Sequence, residues 1–246
     1  METSTEIRRA ANGQEVAQLA AREIIETLEQ ALANKPVVNV ALTGGTVGIL
    51  TLAVLAEQPD LSRLDLSRVH FWWGDERYVE STSSDRNANQ ARAAFFDKVA
   101  VSEDNIHEFP ASDVSGDLST GKKVFEETLV KHFGPGLPVF DLTILGMGPD
   151  GHIASLFPSH EELSVGEVVV AESNSPKPPA ERLSLSFDVL NASAKIIFVV
   201  SGLDKSAAVT AVHTDENCEL PAAKIQAQSE TIWFIDQAAG QEFWSC

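Results

Sequence analysis

Asp150 and His152 stand two residues apart in the stretch from Phe140 to Pro158, F-D-L-T-I-L-G-M-G-P-D-G-H-I-A-S-L-F-P. An imidazole with an ordinary pKa of about 6.5 accepts protons near neutral pH, and a neighbouring carboxylate can orient the ring or stabilise its cation. The pair is a candidate general base with its support. Phe140, Leu142, Ile144 and Leu145 form the apolar run of a strand covered on both faces, and Gly146, Gly148 and Gly151 let the chain turn after it. His152 therefore falls at the carboxyl end of a strand, the edge where open α/β sheets bind ligands.

Other polar groups fall at strand ends as well. Thr43-Gly44-Gly45-Thr46 is a strand-to-helix turn whose backbone N–H groups and hydroxyls suit a phosphate, although it lacks the G-K-[ST] ending of a Walker loop. Asp75, Glu76 and Arg77 follow the apolar strand V-H-F-W-W, in which Trp72 and Trp73 point to opposite faces as core residues. Lys177 and Arg182 lie in the proline-stiffened loop S-P-K-P-P-A-E-R, and Lys205 closes S-G-L-D-K, where a strand gives way to a helix. In a chain with a net charge of −18, basic groups at several strand ends are what an anionic ligand requires.

Gly146-x-Gly148-x-x-Gly151, with Glu172 about twenty residues on, also matches the dinucleotide fingerprint. Pro158 excludes that reading, because His152 to Phe157 allows only about a turn and a half of helix where the cofactor needs a full one. His70, His107, His132, His160 and His213 have no ligand spacing along the chain, so no metal is expected.

The elements that must position these groups alternate. Val16, Leu19, Ala20, Ile24, Leu28 and Ala31 recur at helical spacing, Asn34-Lys35-Pro36 stops that helix, and a strand is expected from Val37 to Leu42. Further helices are expected from Val47 to Ala56, Asn87 to Val99, Asp117 to Phe133 and after Lys205. Strands are expected at Val69 to Trp73, Ile106 to Phe109, Phe140 to Leu145, Val168 to Val170, Leu183 to Ser186, Ile196 to Val200 and Thr231 to Ile235. The alternation calls for an α/β fold, a mainly parallel sheet with helices on both faces in a Rossmann-like three-layer arrangement. One domain over residues 1–246 is expected, with Ser173 to Ala180 as its clearest loop.

Acidity argues against nucleic-acid binding. No apolar run approaches a membrane span, and the polar segment from Met1 to Asn12, with Glu2, Glu6, Arg8 and Arg9, lacks the core of a secretory signal. Cys218 and Cys246 form no redox or metal pattern. A cytoplasmic protein with two free thiols is expected.

T-G-G-T, G-D-E-R, the downstream Asn87 and Asn89, G-M-G-P-D-G-H-I-A-S-L-F-P, S-P-K-P-P-A-E-R and S-G-L-D-K, in that order from Thr43 to Lys205, resemble the 6-phosphogluconolactonases. Those enzymes share a parallel α/β fold with the aminosugar-phosphate deaminases. The resemblance implies hydrolysis of 6-phospho-D-glucono-1,5-lactone to 6-phosphogluconate in the oxidative pentose phosphate pathway, with no obligatory metal or organic cofactor. It implies His152 as the base and the turn Thr43 to Thr46 with Lys177 and Arg182 as the phosphate site. Lys205 is a further candidate there. Arg77 suits either the lactone oxygens or the phosphate, with Asp75 and Glu76 in support. Such an ester needs no covalent nucleophile, and Ser155 lies outside any G-x-S-x-G elbow.

One departure is Ile153, where lactonases commonly have threonine; G-H-I-A is also how the deaminases read. Deaminases place a glutamate where this chain has Phe157, and D-E-Y where it has Asp75-Glu76-Arg77. A phenylalanine cannot supply the extra acid–base group that deamination needs. A sugar-phosphate sensor of related fold would need a DNA-binding segment, whereas the residues before Val37 read as essentially one helix.

Overall fold

The computed structural model describes residues 3–160 and 164–245; Met1, Glu2 and Cys246 lie outside them. The elements of the first half are β1 (Ser4–Ala10), α1 (Gly13–Asn34), β2 (Val38–Leu42), α2 (Thr46–Ala56), β3 (Val69–Trp73), β4 (Asp75–Arg77), α3 (Asn87–Ala91), α4 (Ser112–Ser115) and α5 (Leu118–Phe133). Then follow β5 (Leu142–Leu145), β6 (Val169–Glu172), β7 (Arg182–Leu185), α6 (Phe187–Asn191), β8 (Lys195–Val200), α7 (Ser206–Thr214) and β9 (Glu230–Asp236).

Six strands form a parallel sheet in the order β1-β9-β8-β5-β2-β3. Its two faces follow from the alternation of side chains along each strand. On one face Phe71 packs against Phe95 and Phe96, and Lys195 reaches Glu23 of α1. On the other, Trp72 packs against Phe125 and Phe133 of α5, while Phe198 stacks on Trp233 at 3.6 Å. Both tryptophans of β3 are fully buried, one on each face. The expected α/β architecture with helices on both faces is the one observed.

Four details differ from the sequence expectation. A strand, β1, precedes α1 and pairs along its whole length with β9. It is an edge strand whose side chains are mostly exposed, so it carries no apolar pattern to read. The segments expected near Val168 and Leu183 do form strands, but outside the main sheet. With β4 they build a separate antiparallel sheet in the order β4-β7-β6. The segment from Ile106 to Phe109 makes only one bridge, Phe71 to Ile106, and the helix opening at Asn87 passes into a π-helical turn over Arg92–Phe96. Among the described residues no helix is long and apolar enough to cross a membrane.

Burial pushes the His213 imidazole down to about 4, and its ring stands edge-on to Trp233 at 4.7 Å with a buried, unpartnered Nε2. Below the ordinary value of 6.5 the unfolded chain takes up a proton that the folded chain resists, so this residue's contribution to stability is present above pH 6.5 and lost as the pH falls toward about 4. Urea unfolding across that range should show a shallower acid dependence in His213→Gln than in the wild type. Parallel profiles would remove His213 as a source of acid sensitivity.

Candidate active site

Adjacent strands β3, β2, β5 and β8 end on one edge of the main sheet, and their following loops enclose a cleft of about 560 Å³. From β2 comes the turn Thr43–Gly44–Gly45–Thr46, from β5 the glycine loop carrying His152, and from β8 Ser201, Asp204 and Lys205. The second sheet closes the remaining side with Asp75 and Arg77 from β4 and Arg182 from β7, while Lys177 reaches in from the β6–β7 loop. Parallel strands share one direction, so residues far apart in sequence meet at their carboxyl ends.

The loop after β5 is shaped around the histidine. At Gly148 a Cβ would lie 2.0 Å from the His152 ring and 2.6 Å from Asp150 Oδ1, so no larger residue fits beneath the imidazole. His152 Nδ1 hydrogen-bonds Asp150 Oδ1, and Phe157 packs on the ring at 4.7 Å between centroids. Burial works against ionisation of Asp150, but the hydrogen bond with His152, the imidazole's charge and Lys177 at 3.8 Å outweigh it and hold the carboxyl well below the usual carboxylate range. An ionised carboxylate only accepts, so Nδ1 carries a proton, and in the neutral imidazole the lone pair is then on Nε2.

The start of α2 lines the same cleft. Gly45, its N-cap, has φ 78° and supplies no side-chain cap, which leaves first-turn N–H groups open toward the cleft. A Cβ on Gly44 would lie 1.9 Å from Asn87 Oδ1, so the turn and α3 are in close apposition.

Asp75 and Glu76 are buried and structural in their contacts. Asp75 accepts the Ser155 hydroxyl at 2.6 Å, and Glu76 accepts the backbone N–H groups of Arg77, Asn87 and Ala88 at 2.7 to 2.9 Å. Burial pushes the Glu76 carboxyl up to about 7 against the opposing pull of Arg86 and those three donors. The charged triplet is thus a strand anchored to the start of α3, and only Arg77 of the three is free of the interior. Its Nη1 donates to the Asp85 carbonyl at 2.7 Å.

Arg182 is buried and donates to the carbonyls of Pro179 at 2.8 Å and of Lys177 and Pro178 at 3.2 Å, which fixes the loop that presents Lys177. Burial pulls its guanidinium below the ordinary value and Asp75 pulls it back, yet an arginine stays charged throughout. Lys205 pairs with Asp204 at 2.9 Å. All the expected site residues except Asp150 and Glu76 line the cleft, and those two hold residues that do.

Asn87, Phe157, Ser201 and Asp204 also line it. An asparagine at the start of a helix looks like an ordinary cap, so Asn87 enters the sequence reading only through the resemblance. Asn89 donates to the carbonyls of Ser81 and Ser83 and ties down the loop that leads to Asp85.

Residues 11–233 match the family model for glucosamine-6-phosphate isomerases and 6-phosphogluconolactonase. A 6-phosphogluconolactonase of Mycobacterium leprae is 36% identical over 226 residues, covering 89% of this chain and 91% of that protein. One from Streptomyces coelicolor is 34% identical over 235 residues, covering 92% and 90%. Among solved structures, the 6-phosphogluconolactonase of Thermotoga maritima superposes with a TM-score of 0.83 at 28% identity, covering 95% of this chain and all of that one. A monomeric glucosamine-6-phosphate deaminase, at 20% identity and a TM-score of 0.77, shares the fold. The chain belongs to the family of glucosamine-6-phosphate isomerases and 6-phosphogluconolactonases.

Proposed function

We propose that this protein hydrolyses 6-phospho-D-glucono-1,5-lactone to 6-phospho-D-gluconate, with His152 as general base toward water. The observation that carries the reading is the His152–Asp150 pair, in which a neutral imidazole has its lone pair on Nε2, in a cleft also lined by the N-terminus of α2. The relatives named above point to the same substrate.

In this mechanism Nε2 removes a proton from water as its oxygen adds to the lactone carbonyl carbon. Negative charge builds on the carbonyl oxygen, where the Arg77 guanidinium is the candidate stabiliser. Collapse of the tetrahedral intermediate breaks the bond to the ring oxygen, which takes the proton back from the imidazolium and leaves as the C5 hydroxyl. Asp150 stabilises the transient cation throughout. Phosphate binds at the Thr43–Thr46 turn with Lys177, Arg182 and Lys205 around it. Ser155, fully buried with its hydroxyl on Asp75, has no part as a nucleophile. A cytoplasmic address goes with this reading, because a sugar phosphate does not cross a bilayer unaided.

The deaminase reading meets a buried, apolar Phe157 against the catalytic ring, where an acid–base group is needed. An assay on freshly generated 6-phosphogluconolactone, corrected for its spontaneous hydrolysis, tests the proposal. Turnover well above background is expected. Saturable binding with no added turnover would favour a sensor instead.

A further inference from the structure

His70, His107 and His132, widely separated in sequence, are brought together by the fold so that one ring nitrogen from each lies within 4.8 Å of the others. His70 is on β3, His107 follows the bridge at Ile106, and His132 is in the last turn of α5. The cluster sits beneath α5 toward the amino-terminal half of β2 and β3, whereas the cleft opens at their carboxyl ends. Their spacing along the chain gives no sign of this cluster, which only the fold assembles.

The hydrogen bonds fix one tautomer. Asn39, the register partner of His70, has a side-chain oxygen that faces both Trp72 Nε1 at 3.1 Å and His132 Nε2 at 2.8 Å. An indole nitrogen only donates, so the Asn39 atom it meets must be the oxygen. His132 Nε2 facing that same oxygen must then carry its proton, which leaves a lone pair on Nδ1. This is the outer-shell arrangement that orients metal-binding histidines, with the far N–H held by a carbonyl. His70 Nδ1 and His107 Nε2 lie 2.8 Å apart and share one proton; moving it to the other nitrogen of its ring leaves a lone pair on each of these two atoms. His107 stacks on Trp72 at 3.9 Å, which restrains its ring.

We propose that these three imidazoles form a binding site for a divalent first-row transition ion, zinc being the simplest case. Neutral imidazole is the ligand form, and the three rings already stand together at the packed junction of β3 and α5. Tetrahedral zinc with Zn–N bonds of about 2.0–2.1 Å needs nitrogens about 3.3 Å apart. The His70–His107 pair must open by roughly half an ångström and His132 close in, movements within side-chain reach. Water fills the fourth position. The ion would clamp β3, the segment after it and α5, and it plays no part in the reaction in the cleft.

Chelator-stripped wild-type protein titrated with zinc sulfate should bind one ion per chain at the cluster and melt at a higher temperature. Anomalous scattering at the zinc edge from crystals of the zinc-loaded protein should place the ion among His70, His107 and His132. His107→Gln and His132→Gln should each lose the stoichiometric binding and the thermal shift while keeping lactone hydrolysis, and His152→Asn should retain both. The proposal is overturned if no ion binds, if the anomalous peak lies only at Asp150–His152 or His160–Glu172, or if binding survives both cluster substitutions. Because the anomalous measurement uses the wild type, a variant that fails to fold leaves the test intact.

Discussion

His152→Asn should fold as the wild type does and lose kcat by about a hundred- to ten-thousandfold, the range that a positioned general base contributes, with KM little changed. Asparagine is smaller and fits the same space, and His152 is partly exposed with its side-chain hydrogen bond directed to Asp150, so little stability depends on the ring. The phosphate contacts are untouched, which is why ground-state binding should survive. Asp150→Asn tests the support separately. It keeps a side chain that can accept the Nδ1 proton but removes the negative charge, so it should retain more activity than His152→Asn. Wild-type turnover, after subtraction of the alkali-accelerated background, should rise with pH as the base loses its proton. Near-wild-type kcat in a folded His152→Asn protein would place the catalytic group elsewhere and sink the assignment.

What made this site legible is that its parts are local. Gly148 and Gly151 announce a turn that a Cβ would obstruct, and His152 stands inside it, so chemistry and backbone constraint coincide within a few residues. The buried strands of the main sheet read clearly for the same reason: β5 and β8 are apolar on both faces, and α1 shows its apolar stripe at helical spacing. Features set by partners elsewhere in the chain stayed hidden. β1 is a strand because β9 offers it an edge, not because its own residues are apolar. Asp75 and Glu76 look like a solvated turn until β7 pairs with them and the N–H groups of α3 meet the Glu76 carboxylate. The three clustered histidines are the extreme case, since only packing of α5 on β3 makes them neighbours.

Removing the phosphate from the substrate should be nearly as costly as removing the base. Charge-assisted contacts contribute about 1.5 to 3 kcal/mol each. Losing two of them should make unphosphorylated gluconolactone poorer in kcat/KM by about a hundred- to ten-thousandfold, at about 1.4 kcal/mol per factor of ten. The basic residues can be sorted by where the loss appears. An anchor that grips phosphate equally in ground and transition states contributes uniform binding, so Lys177→Ala should raise KM for the phosphorylated lactone and leave kcat nearly unchanged. It should also narrow the gap between the two lactones, because the unphosphorylated one never used that contact. Arg182→Ala should act through the same loop, since its guanidinium holds the carbonyls of Lys177, Pro178 and Pro179, and should loosen the loop as well as raise KM. Arg77→Ala should lower kcat on both lactones if its guanidinium meets the developing oxyanion; a change in KM confined to the phosphorylated lactone would move Arg77 to the phosphate site. Equal kcat/KM for the two lactones in the wild type would remove the phosphate-binding role from the Thr43–Thr46 turn and from every basic residue around it.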